Sequence, residues 1–95
     1  MLDLAVFGEY AAEAIGRGDA TELAAIAEAA ERFLDGPSEQ VQTAAKYGFL
    51  EGLTNRCLAE SERLPFQRLA RYLGPSTIAA CRDLDDSWGT QTPGV

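Results

Sequence analysis

The sequence predicts an all-α fold, a compact bundle of about five helices with short loops and a central helix at about 38–60. Three observations point to it. Apolar residues recur at spacings of three and four through nearly every segment, which is the pattern of a helix with a buried face. Glycine and proline pairs at Gly16 and Gly18, Gly36 and Pro37, and Gly74 and Pro75 interrupt these patterns at helix-length intervals. The filler between apolar positions is rich in alanine, the residue of highest helix propensity.

The first helix, 2–15, places Leu4, Phe7, Ala11, Ala14 and Ile15 on one face, with Asp3, Glu9 and Glu13 off it. Gly16-Arg17-Gly18 ends it, since glycine adopts the left-handed conformation that stops a helix. Asp19 opens the second helix, and Glu22 stands three residues on, as in a capping box. Leu23, Ile26, Ala30, Phe33 and Leu34 follow at helical spacing before Asp35-Gly36-Pro37. The turn to the next helix is short, which makes the two antiparallel neighbours.

Ser38 and Glu39 begin the central helix, whose run 41–58 is apolar on more than one side. Val41, Ala45, Gly48 and Gly52 form one stripe; Phe49, Leu50, Leu53 and Cys57 form a wider adjoining one. A helix apolar over that much of its circumference belongs in the middle of a bundle. Gly48 and Gly52 each cost roughly 1 kcal/mol against alanine in a helix interior. With Ala44 and Ala45 they make a smooth strip, which predicts close packing against the alanine-rich second helix. A groove that admits a partner is the alternative.

After the polar run 59–63, Pro65 suits a first helical turn, and a short helix 65–73 turns Phe66, Leu69, Tyr72 and Leu73 inward. Gly74-Pro75-Ser76 separates it from the last helix, 76–87. There Ile78, Cys81 and Leu84 point inward and Trp88 continues that face. Residues 89–95 have no helical period and read as a tail of the single domain 1–95.

Ninety-five residues, 46% of them hydrophobic, suffice for one modest core. The net charge is −7 and there is no histidine. That sign repels nucleic-acid phosphates and anionic lipid and attracts a basic protein surface. Residues 1–36 hold eight acids and two bases, so most of the excess lies on the outer faces of the first two helices. An interaction face and a plain solvated exterior both fit this asymmetry. No segment is apolar over the roughly 18 residues needed to span a bilayer. The acids of the N-terminus do not suit a signal peptide, so a cytoplasmic location is expected. Cys57 and Cys81 fall in phase with apolar positions and read as buried free thiols rather than a disulfide.

Catalytic chemistry finds little footing. Without histidine the usual general base and metal ligand are missing, and Gly16-Arg17-Gly18 lacks the strand and the Lys-Ser or Lys-Thr of a phosphate loop. Asp83, Asp85 and Asp86 lack the spacing of a calcium loop. The expectation is no enzyme, no cofactor and no metal site.

Phe33-Leu34, Val41-Gln42, Gly48-Phe49-Leu50-Glu51-Gly52-Leu53-Thr54-Asn55, Tyr72-Leu73-Gly74-Pro75-Ser76, Cys81-Arg82 and Thr92-Pro93-Gly94 together resemble a largely uncharacterised family of small, acidic, helical bacterial proteins. That group is similar to the immunity proteins of polymorphic toxin systems. In this chain the aromatic of the last helix is Trp88, a departure from the family pattern. The resemblance implies a non-enzymatic antitoxin that binds and neutralises a basic-surfaced toxin domain, as a monomer or weak dimer. Together with the charge asymmetry it nominates Glu9, Glu13, Glu28, Glu31 and Asp35 as partner-binding residues. The alternative is a helical scaffold, since the helix start Ser38 to Ala45 is reminiscent of HEAT-type repeats.

Overall fold

A computed structural model describes residues 3–95. Among these the chain forms five helices and no strand. The first, α1, spans Leu4–Arg17; the expected start at Leu2 lies outside the described residues. Asp3 caps it, its carboxylate accepting from the amides of Ala5 at 3.0 Å and Val6 at 3.4 Å. Gly18 closes it at φ 71°, donating its N–H to Ala14 O at 2.9 Å. Helix α2, Ala20–Leu34, starts on Asp19 as the sequence predicts, with the Asp19 carboxylate accepting from the Glu22 amide at 3.1 Å. Glu22 does not complete a capping box. Its carboxylate takes the Arg17 guanidinium at 2.8 Å and the Tyr10 hydroxyl at 2.9 Å instead.

Helix α3 covers 39–59 without a break but not as a regular α-helix. It is α-helical at Glu39–Ala45, widens into a π-turn at Lys46–Leu50, and is α-helical again at Glu51–Ala59. The buried positions Ala45, Phe49, Leu53 and Cys57 are spaced by four. Four residues turn an α-helix through about 400°, so such a stripe drifts by about 40° per step. One wide turn takes back part of that drift and keeps the four residues on a single core. The smooth stripe expected from Val41 to Gly52 does not survive this rephasing. Ala45 is buried, Val41 is 44% exposed, and Gly48 and Gly52 open to solvent.

The short helix is shorter than expected. Only Gln67–Ala70, α4, is α-helical, and tight turn bonds such as Leu69 N–H to Phe66 O and Tyr72 N–H to Leu69 O carry the rest of 65–73. Phe66 and Leu69 are buried, and Tyr72 and Leu73 pack on the core as expected. Arg68 donates to the Ile15 carbonyl at 2.7 Å, tying α4 to the end of α1. The last helix, α5, spans Pro75–Trp88 with proline at its first position. Its buried face is Thr77, Ala80, Cys81 and Leu84. Ile78 is only half-buried, and Trp88, expected inward, is 64% exposed at the last helical residue.

Helix α1 and the second half of α3 run in the same direction, since Gly48 and Phe49, midway along α3, approach Leu4 and Gly8 in the first turns of α1, while Gly16 in the last turn of α1 meets Leu64 just past the end of α3. Helix α2 packs on α1, on the first half of α3, and on α4 and α5. The thinnest dimension, 21 Å, is that of two helix layers. Phe7, partly buried, packs on the core, stacked on Phe49 with centroids 4.7 Å apart and meeting Phe33 edge-on at 6.3 Å. Both cysteines are buried and free, as expected. Residues 90–95 fold back onto the body. Asp85 accepts from the Thr92 amide at 3.0 Å, the Thr92 hydroxyl at 2.8 Å and the Thr90 hydroxyl at 2.8 Å, and Val95 packs on the core. No helix among the described residues is long and apolar enough to cross a membrane.

Candidate functional site

The five nominated acids do not form one surface. Glu9 and Glu13 lie on the flank of α1 that borders α3, whereas Glu31 and Asp35 face α5 from α2. Glu9, Glu13, Glu28 and Asp35 are all exposed. Glu28 pairs with Arg32 one turn on, and Glu13 sits 3.9 Å from Arg17. Exposed pairs of this kind contribute little to stability and leave the carboxylates available. Asp35 accepts the Ser76 hydroxyl at 3.1 Å.

Glu31 is different, and its placement corrects the expectation of an open acidic residue. Its carboxylate accepts from the Ser76 amide at 3.0 Å, the Thr77 amide at 2.8 Å and the Thr77 hydroxyl at 2.8 Å. Gly74, at the cap position of α5, has no side chain with which to cap the helix, so α2 supplies the cap from outside. The approach is close enough that a Cβ on Gly74 would lie 2.5 Å from Glu31 Cδ. Burial raises the Glu31 pKa, but the amide and hydroxyl bonds from Thr77 and Ser76 outweigh burial and hold it below the ordinary value. Glu31 therefore acts inside the fold.

The acidic knot near the C-terminus is likewise divided. Asp83 pairs with Lys46 at 3.1 Å, Asp85 gathers the tail, and Asp86 is exposed. The thiols offer no ready nucleophile, because burial pushes Cys57 up to about 11 and Cys81 up to about 12.

The glycines of α3 occupy a place the sequence reading ranked second. Gly52 has nothing within 4 Å of where its Cβ would stand, and Gly48 meets only the Leu4 side chain at 3.5 Å. They do not pack on α2. They form one wall of a groove of ≈190 Å³ whose other wall is Ala5, Gly8 and Glu9 of α1. Phe49 and Leu53 floor this groove, and Arg56 stands at its far end. A second recess of ≈380 Å³, past Ala12 and Gly16, shares Arg56 and adds Glu13, Arg17 and Arg63. The seam is thus lined by small and apolar residues, with Glu9, Glu13 and Arg17 on the α1 rim and Arg56 and Arg63 on the other side.

Gly8 and Arg56 did not stand out in the sequence, although Ala5, Gly8, Ala12 and Gly16 recur at spacings of three and four along α1. That recurrence is the one signal that could have marked the α1 wall. No curated protein and no solved structure matches the chain. One family model does, over residues 1–89, and its description is Domain of unknown function (DUF7674).

Proposed function

The chain belongs to the DUF7674 family, a domain of unknown function, and from the sequence resemblance and the exposed acids just described we propose that it is a non-enzymatic immunity protein that binds and neutralises a cognate bacterial toxin. The observation that carries this reading is that α1 and α2 present exposed carboxylates on two separate flanks of a chain of net charge −7. Glu9 and Glu13 on one flank, with Glu28 and Asp35 on the other, remain available to a basic partner; Glu31 is removed from the nominated set. Toxins that act on nucleic acid or nucleotides present basic clefts, and a rigid acidic helix face can occupy one in place of the natural ligand. A partner held this way associates fast at low salt, and the rate falls steeply as salt screens the charges. The low nucleophilicity of two buried thiols supports binding rather than chemistry.

Co-expression with the protein encoded beside this chain tests the reading. The neighbour alone should arrest growth, and this chain should restore it. A harmless neighbour, or one still toxic in the presence of the chain, refutes the proposal. Charge reversal of Glu9 and Glu13 together should slow association at least tenfold with an unchanged Tm.

A further inference from the structure

The seam between α1 and α3 is open along its outer side among the described residues. Among them a Cβ at Gly52 would meet nothing within 4 Å, and one at Gly8 would meet Phe49 at 3.8 Å, an ordinary contact. Glycine inside a helix costs roughly 0.5–1 kcal/mol relative to alanine. Helix stability is therefore given up at two facing positions where the fold would accept a side chain. The result is a trough between two parallel helices, with Phe49 and Leu53 as its apolar floor. Its shape is that into which the ridge of a third helix packs, and glycines on both walls let that helix approach closely.

The rims decide what kind of helix fits. Glu9, Glu13 and Arg17 line the α1 side, with Arg17 turned to Glu22 at 2.8 Å and only 3.9 Å from Glu13, and Arg56 and Arg63 line the other. Among the described residues Glu9 takes part in no ion pair. Arg56 and Arg63 both bond Glu60, at 3.2 Å and 2.5 Å, but a guanidinium has five donors and keeps some for a second acceptor. A second copy docked seam to seam would bring a concave surface against a concave surface and leave the trough unfilled.

We propose that this groove receives a helix of the protein partner, with an apolar stripe against Gly8, Gly48 and Gly52, basic residues toward Glu9 and Glu13, and an acidic residue toward Arg56 and Arg63. The proposal rests on the toxin-binding reading above and names the surface that serves it. The helix supplies most of the buried apolar contact, while the charges fix its direction and rotation.

The test titrates the neighbour-encoded protein into isotope-labelled chain and follows amide shifts, then measures affinity for three variants. The largest shifts are expected at Gly8, Gly48 and Gly52. Gly52→Leu directs a side chain into the groove from a position whose Cβ meets no described atom within 4 Å, so it should keep or raise Tm while weakening binding at least thirtyfold. Glu9→Lys should weaken binding at least tenfold, and Thr43→Leu, in the groove between α3 and α5, should leave it within threefold. If the wild-type chain does not bind the neighbour-encoded protein, the toxin-binding reading and this proposal both fall. If it binds but Gly52→Leu binds within threefold of wild type, or the shifts map to the α2 and α5 flank, the groove is wrong and the toxin-binding reading stands. Loss of self-association on Gly52→Leu with partner binding intact would make the occupant a second copy and overturn the proposal.

Discussion

Glu31 shows how a half-buried carboxylate on a helix face becomes a structural contact. In sequence it sits among Glu28, Arg32 and Asp35 and reads as another acid on a wet helix face. What it meets lies 45 residues away, at the start of α5, where Gly74 leaves the first amides without a cap. Three hydrogen bonds to a charged acceptor at a helix N-terminus combine capping with the helix dipole. Replacing Glu31 by Ala should destabilise the fold by about 1–3 kcal/mol, readable as a lower denaturation midpoint with unchanged slope. Gly74→Ala should act through the same contact. The atoms its Cβ would strike are the far end of the Glu31 side chain, which can swing away but only by breaking the cap. The two substitutions should therefore be non-additive in a double-mutant cycle, the double mutant costing little more than Glu31→Ala alone. Full additivity would show that Gly74 matters for some other reason.

At the scale of elements, the boundaries that rest on local chemistry were legible and those that rest on long-range packing were not. Asp19, Ser38 and Gly18 mark helix ends by side chains and backbone freedom that act within a few residues, and each stands where the pattern puts it. The π-turn at Lys46–Leu50 has no such local mark; it answers the four-residue spacing of a stripe that must keep facing one core. Missing it, the sequence reading sent Val41 inward and joined Gly48 and Gly52 to the α2 interface. Thr77 was missed for a related reason. A hydroxyl goes inward on α5 because Glu31 accepts its hydrogen bond, a partner that no pattern within α5 reveals. The acids of the candidate site were visible as charges, but the groove beside them required knowing that α1 and α3 run parallel. One consequence is direct. Because a Cβ at Gly52 enters open space, Gly52→Ala should stabilise the chain by about 0.5–1 kcal/mol. A change of about 1 kcal/mol corresponds to a rise of roughly 4–8 °C in Tm for a domain of this size. A fall in Tm would mean that the glycine serves the fold after all.

For the molecule as a whole, two carboxylates hold α5 in place, one at each end. Glu31 docks its first turn on α2, and Asp85 near its last turn collects Thr90 and Thr92 so that Val95 reaches the core. For Asp85 burial raises the pKa, but the bonds from the Thr92 amide and the Thr90 and Thr92 hydroxyls outweigh it, leaving the net value lowered, as for Glu31. A folded-state pKa below the unfolded one means that the unfolded chain binds more protons through that window, so stability rises with pH. The contribution is complete above the ordinary values of 4.5 and 3.8 and is lost as pH falls through the lowered ones. Acidification also relieves the mutual repulsion behind the net charge of −7, which acts in the opposite direction. That repulsion is spread over exposed groups and screened within about 8 Å at physiological salt, whereas the two carboxylates make direct bonds of 2.8–3.0 Å to amides and hydroxyls. The direct bonds should prevail. Stability is expected to hold level above about pH 5 and to decline below about pH 4, with α5 and the tail loosening before the pair α1 and α3. Trp88, the only tryptophan, ends α5 and reports that helix by fluorescence, while amide exchange at Thr92 reports the tail. Asp85→Asn should raise exchange at Thr92 at least tenfold at neutral pH and flatten the acid response of the tail without moving that of the α2–α5 contact. An acid transition in which Trp88, Thr92 and the core residues change together, unaltered by Asp85→Asn, would show that charge repulsion and not the two clasps governs the response to pH.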